Sequence, residues 1–203
     1  MPRPRKPTPL VPASPPAPPG VRRCAWAEGS CSLHAYHDAE WGVPEHDDRA
    51  LFELLCLEGA QAGLSWRSVL DRRDAYRAAY HGFAIDRVAA MTDAELEMVL
   101  AGGGVIRNRL KVFSVRANAR AARAVIAAEG SLDAFVWAFV ANRPIVTRRA
   151  DTAPPARTGI SERLSRELRR RGFRFVGPTI CYAFMQAAGL VDDHAATCFR
   201  AAA

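Results

Sequence analysis

Four aromatic side chains and one carboxylate gather in the first third of the chain, where Trp26, Tyr36, Trp41 and Trp66 surround Glu58 in sequence. Three of the four tryptophans fall here. Indole and phenol faces stack on a flat heterocycle, and a carboxylate beside them accepts hydrogen bonds from the heterocycle's edge. Such faces also favour a cationic ring over a neutral one. The competing reading is that these tryptophans pack an ordinary core.

A second motif is GGGVIRNRLK at 102–111. Glycines let backbone N–H groups approach a phosphate, and the N-terminus of a following helix adds a favourable field. The pattern suits a helix-hairpin-helix grip on a DNA backbone, with Gly104, Arg107, Arg109 and Lys111 at the phosphates and no reading of base sequence. An ordinary helix connection with solvated arginines is the plainer alternative. A third pattern sets Cys24-x12-His37 against His194-x3-Cys198. Two thiolates and two imidazoles complete a tetrahedral zinc set, and a closed four-ligand site is structural. Cys31 and His34 compete for the first pair, and isolated thiols with surface histidines are the other reading. Finally, Arg163, Arg166, Arg169, Arg170, Arg171 and Arg174 form a basic run partly balanced by Glu162 and Glu167, a pattern usual for a solvated face.

The elements that must position these groups read as helices. Asp47 or Asp48 can cap a segment in which Leu51, Leu54, Leu55 and Glu58 recur at helical spacing, and Thr92 with Glu95 forms a capping box. Gly102 to Gly104 stop that second helix, and residues 111–129 start another. Ser131 to Val140 carry a stripe of Leu132, Phe135, Val136 and Phe139. Ser161 opens a helix closed by Gly172, and Pro178 opens the last one, ending at Gly189. FRFV at 173–176 is the one short strand signal, and 142–159 reads as a long loop. The fold class is all-α.

With 203 residues, 49% of them hydrophobic, the chain can bury a sizeable core, which excludes a disordered chain. The net charge of +7 invites a polyanionic partner. Its distribution narrows that reading: Arg3, Arg5, Lys6, Arg22 and Arg23 supply +5 without any acid, whereas residues 24–203 hold 23 bases against 21 acids. Nine of the fourteen prolines also lie before Gly20, so residues 1–22 are expected to be a disordered Pro/Arg-rich tail ahead of a domain at 23–203. Those prolines interrupt any secretory signal, and no run of about 18 apolar residues follows, so the expectation is a cytoplasmic protein with no membrane partner. Five cysteines argue against a disulfide framework and for core thiols or metal ligands.

Taken together, CAW, AYHDAEWGVP, LCLEGAQAGLSW, GVIRNRLK, RRGFRFVGPTICYAFMQAAGLVDDH and the closing Cys198 resemble the DNA-3-methyladenine glycosylase I family, bacterial base-excision enzymes of the helix-hairpin-helix superfamily. The resemblance runs from Arg23 to Cys198. It implies a monofunctional, monomeric enzyme that flips N3-methyladenine out of double-stranded alkylated DNA and hydrolyses its N-glycosidic bond. It also implies a structural zinc that snaps the two ends of the folded chain together through Cys24, His37, His194 and Cys198. The base pocket falls on Trp26, Tyr36, Trp41, Glu58 and Trp66, and Gln61, Gly63 and Leu64 form the element entering the gap in the duplex, with Leu64 as an apolar wedge. Where the family usually carries a pocket tyrosine, this chain has Leu33, which bears on base selectivity and not on reaction class.

The substrate explains how little such a site must do. Methylation at N3 makes the purine cationic and a good leaving group, so finding, flipping and orienting it dominate. Relatives with this hairpin often place an aspartate in or near the next helix, yet residues 107–128 contain no acid, leaving Glu58 as the catalytic carboxylate. Lys111 is the only lysine beyond the tail, which leaves a Schiff-base lyase few nucleophiles. A non-catalytic binder of distorted duplex and a glycosylase of shifted alkylpurine specificity are the rival readings.

Overall fold

The caps written in the sequence set most helix starts in the computed structural model, which describes residues 20–150 and 152–202. Ser30 accepts from the Leu33 N–H at the head of α1 (Cys31–Ala39), and Asp47 from the Ala50 N–H at the head of α2 (Asp48–Gln61). Ser65 caps α3 (Trp66–Leu70), followed by α4 (Arg73–Ala79) and α5 (Ile85–Ala90). The Thr92–Glu95 box opens α6 (Asp93–Ala101). Asn108 caps α7 (Arg109–Glu129), Ser131 caps α8 (Leu132–Trp137) and Thr158 caps α9 (Gly159–Arg170). Pro178 takes the first position of α10 (Pro178–Ala187). Each side-chain cap satisfies an N–H that the helix itself cannot, worth about 1 kcal/mol.

Helix α2 is buried on every side from Leu51 to Ala60 and touches α3, α7, α8 and α10, so it runs through the core instead of lying on it. α7 packs against α5, α6 and α8, and α9 lies on α10. A smaller cluster stands apart from this core: Cys24, Tyr36, Trp41 and Cys198, with Trp26, Trp66, Leu70 and Phe199 against them.

The all-α expectation holds apart from a two-residue parallel pair, β1 (Ile145–Val146) with β2 (Val191–Asp192), where Ile145 stands opposite Val191. The pairing continues as a bridge between Arg149 and Ala195. The expected loop at 142–159 is therefore stitched to the segment that carries His194. Three other expectations need correction. FRFV at 173–176 is not a strand: Phe175 adopts a left-handed φ of 55°, and the Asn118 side chain holds both the N–H and the carbonyl of Arg174. α9 starts at Gly159, two residues before Ser161, because Thr158 and Ser161 cap each other reciprocally. α7 starts at Arg109 and not at Lys111, because the Asn108 side chain accepts from the Lys111 N–H. Positions 1–19, which hold most of the expected tail, lie outside the described residues.

Two glycines let the ends of the fold pass each other. Gly42 has φ +77°, and a Cβ there would stand 2.7 Å from His194 Cε1. Gly189 has φ +70°, and a Cβ there would run into the Val43 and Pro44 backbone. The crossing is tied by hydrogen bonds from Gly42 N–H to the Gln186 carbonyl and from Glu45 N–H to the Ala188 carbonyl. It brings α1 beside the segment 191–199.

Candidate active site and metal centre

The aromatic set assembles as the spacing suggested. A 3-10 turn (Ala25–Ala27) carries Trp26, the buried face of α1 carries Tyr36, and Trp41 follows α1. Trp26 meets Trp41 edge-on at 4.9 Å and Tyr36 at 6.2 Å, and Tyr36 meets Trp66 at 5.2 Å. Glu58, on the third turn of α2, is only 3% exposed. Four buried polar atoms at this place have no hydrogen-bond partner: Trp26 Nε1, Tyr36 Oη, Glu58 Oε2 and Trp66 Nε1. Leaving one such group unpaired costs about 1–3 kcal/mol, and three ring donors together with one carboxylate oxygen are the polar complement of a planar, nitrogen-rich ligand. Burial alone pushes the Glu58 carboxyl up to about 8. It also raises the Tyr36 phenol, to which the Glu58 charge contributes.

The element expected to enter DNA lies at the end of α2. Leu64 is 42% exposed, its N–H donates to the Gln61 carbonyl, and Gly63 between them takes φ +76°. The three cations of the 102–111 segment do not share one role. Lys111 Nζ donates to the carbonyls of Ala60 (2.9 Å) and Ala62 (2.6 Å), fastening α7 to the end of α2 as a cation at a helix C-terminus. Arg109 pairs with Glu97 and lies 4.1 Å over the Phe113 ring. Arg107 is exposed, while Gly104 faces Ala75, whose Cβ would be 3.2 Å from an added Cβ. Since Lys111 is held by two carbonyls, incubation with methylated DNA and borohydride should trap no covalent adduct; an adduct lost in Lys111→Met would show a lyase.

Cys24 Sγ, Cys198 Sγ and a His37 ring nitrogen lie within 4.8 Å of one another, all buried. His37 Nε2 is 3.4 Å from Cys198 Sγ. His194 stands outside that trio but beside it, with its ring 5.1 Å from that of His37 and its buried Nε2 without a partner. The competitors fall away, because Cys31 is exposed and His34 pairs with Glu28 on the surface. Both histidines are oriented alike: His37 Nδ1 bonds Asp38 (2.9 Å) and His194 Nδ1 bonds Asp192 (2.7 Å), so each Nε2 is turned inward. Burial lowers both imidazoles, keeping them neutral as metal ligands must be, and pushes the Cys24 thiol up to about 12. A buried thiol so raised becomes a thiolate only against a cation. The donor set, the orphaned Nε2 and the oriented tautomers all fit zinc.

The methyladenine glycosylase family model matches residues 26–201. The chain belongs to the methyladenine glycosylase family. It is 46% identical over 179 residues to DNA-3-methyladenine glycosylase 1 of Escherichia coli (strain K12), spanning 88% of this chain and 96% of that relative. A crystal structure of 3-methyladenine DNA glycosylase I superposes with a TM-score of 0.85 at 49% identity, covering 88% of this chain and 98% of that one. A structure addressing 3-methyladenine recognition by the Staphylococcus aureus enzyme gives 0.85 at 31% identity, covering 87% and 95%.

In this methyladenine glycosylase other residues that spacing did not single out shape the candidate site. Asp38 and Asp192 orient the two histidines, and each is held in turn by an arginine, Arg23 (2.7 Å) and Arg148 (2.8 Å). Their signal was an aspartate directly after His37 and two before His194. Asp193, fully buried, accepts from Tyr182, Gln186 and Thr147 and anchors the strand that delivers His194. Nothing in the sequence marks that hub before its partners are known. Leu33, buried on the same face of α1 as Tyr36, brings no hydroxyl to the site.

Proposed function

We propose that this protein excises N3-methyladenine from alkylated double-stranded DNA in base-excision repair, acting as a monomeric, monofunctional DNA glycosylase of the helix-hairpin-helix superfamily in the cytoplasm. The observation that carries this reading is the unpartnered Glu58 Oε2, whose charge acts on Tyr36, together with the three unpartnered ring groups of Trp26, Tyr36 and Trp66 in the aromatic cluster. In a family member about half identical to a solved 3-methyladenine DNA glycosylase I, these are the groups a flipped purine would meet. Trp and Tyr faces stack on the cationic ring, and Glu58 accepts from its exocyclic amine. Water adds to C1′ of the sugar as the bond from C1′ to the base breaks, the bonding pair neutralises the cationic purine, and the water's proton passes to Glu58 or solvent. Leu64, with Gln61 and Gly63, takes the place vacated in the stack, and Gly104, Arg107 and Arg109 face the backbone, with Lys111 holding the hairpin to α2.

Cys24, His37, His194 and Cys198 would hold a structural zinc, which when bound supplies a closed tetrahedral link and no reaction chemistry. Its residues border the pocket, since Trp41 packs on the rings of both histidines. The test is to incubate the protein with methylated duplex DNA and identify the free bases. Release of 3-methyladenine is the expected result. Release of other alkylpurines beside it would tie the Leu33 departure to a wider range, and no release would leave only a binder of damaged duplex.

A further inference from the structure

The arginines from 163 to 174 divide by their partners. Arg170 and Arg171 bind Glu167, and Arg171 also binds Glu129 and lies 4.7 Å over the Phe135 ring. Arg163, Arg166, Arg169 and Arg174 are exposed and have no carboxylate partner among the described residues. Arg163 and Arg166 share the outward face of α9 with Arg170, opposite buried Ser161, Leu164, Ser165 and Leu168.

Where this row leads is fixed by the segment after α9. Asn118 of α7 grips the backbone of Arg174 at 2.7 and 3.2 Å, and the Ser165 hydroxyl donates to the Val176 carbonyl. Phe175, thus bent, lies on Gly59, where an added Cβ would be 3.2 Å from its own. The Arg169 guanidinium reaches to 3.6 Å from where a Cβ on Gly177 would be. Gly59 follows Glu58 and stands two residues before Gln61, so the C-terminal end of the arginine row abuts the part of α2 that carries the catalytic carboxylate and leads into the Leu64 turn. The hairpin reaches the same end of α2 through Lys111. Two cationic elements meet there, and of the hairpin's cations Lys111 is spent on internal carbonyls while Arg109 is shared with Glu97.

We infer that Arg163, Arg166, Arg169 and Arg174 form a second phosphate-contacting surface for duplex DNA, separate from the hairpin, an inference that rests on the glycosylase reading. From Arg163 to Arg169 the helix rises about 9 Å, and a duplex presents one charge per roughly 1.7 Å of its axis, so the row spans several phosphates. A guanidinium fork suits each of them.

The experiment measures binding of a short duplex carrying a stable abasic-site analogue, by fluorescence anisotropy across about 50–200 mM salt. The triple variant Arg163→Gln, Arg166→Gln, Arg169→Gln is expected to lower the slope of log K against log salt by about 0.9 for each arginine, roughly 2–3 in all. Lysine at the same three positions should restore most of it. Arg123→Gln, whose arginine pairs with Asp86 of α5, should leave the slope unchanged. A triple variant with the wild-type slope and melting temperature overturns the inference. The glycosylase reading fails separately, if wild-type protein binds this duplex yet frees no base from methylated DNA.

Discussion

Glu58→Gln is expected to slow single-turnover release of 3-methyladenine by about 10²–10³-fold while zinc content stays at the wild-type level. The glutamine keeps the shape and the acceptor oxygen but cannot hold the negative charge that favours the cationic purine and the positive sugar in the transition state. The same substitution should make the protein harder to unfold at alkaline pH. Burial holds the native Glu58 carboxyl at about 8 against an ordinary value of 4.5. Between those values the native state keeps a proton that the unfolded chain has released, so wild-type stability falls as pH rises, by about 1.4 kcal/mol per unit, and the loss is complete above about 8. A glutamine at this position does not titrate and has no such loss. The melting temperature of the variant minus that of the wild type should grow from pH 5 to pH 9, and log kcat/KM of the wild type should climb toward pH 8 along a limb the variant lacks. An unchanged release rate, or a flat difference in melting temperature, would remove Glu58 from its role.

Loss of the proposed zinc should be the largest effect on the folded chain. Metal analysis of Cys24→Ala and His194→Ala is expected to show little bound zinc, and their melting temperatures should fall by about 10 °C or more, since a chain of this size loses about 2–4 °C per kcal/mol and zinc binding energy is coupled to folding. His194 is the sharper test, because it stands outside the close trio of Cys24, His37 and Cys198. Full occupancy in His194→Ala would leave a three-residue site. The Cys31→Ala variant should keep its zinc, since Cys31 is exposed and apart from the cluster.

What the sequence showed and what it hid separate along physical lines. The starts at Asp47 and Thr92 were legible because a cap is local and acts within three residues, whereas Ser30 and Thr158 cap helices whose heads the sequence pattern did not mark there. The aromatic cluster was legible because its members crowd one stretch. The duties of Lys111 and Arg109 were not, because the Ala60 and Ala62 carbonyls and the Glu97 carboxylate that claim them belong to other helices. FRFV had strand-forming residue types, and a single amide from α7 overruled them by gripping Arg174 in a bend. The 142–159 loop hid its short pairing for the same reason, since Ile145 finds Val191 46 positions away.

The contact between Ala195 N–H and Cys24 Sγ joins residues 171 positions apart, and the core is closed at a similar distance in sequence by α10 against α2. During synthesis, then, α2 waits for α10 (Pro178–Ala187) just as Trp26, Tyr36 and Trp41 wait for the segment that carries His194 and Cys198, and the two arrivals follow one another within a few residues. A nascent chain would close its scaffold and its pocket nearly together, so competence to recognise a damaged base would arrive with the fold and not as a later addition to it.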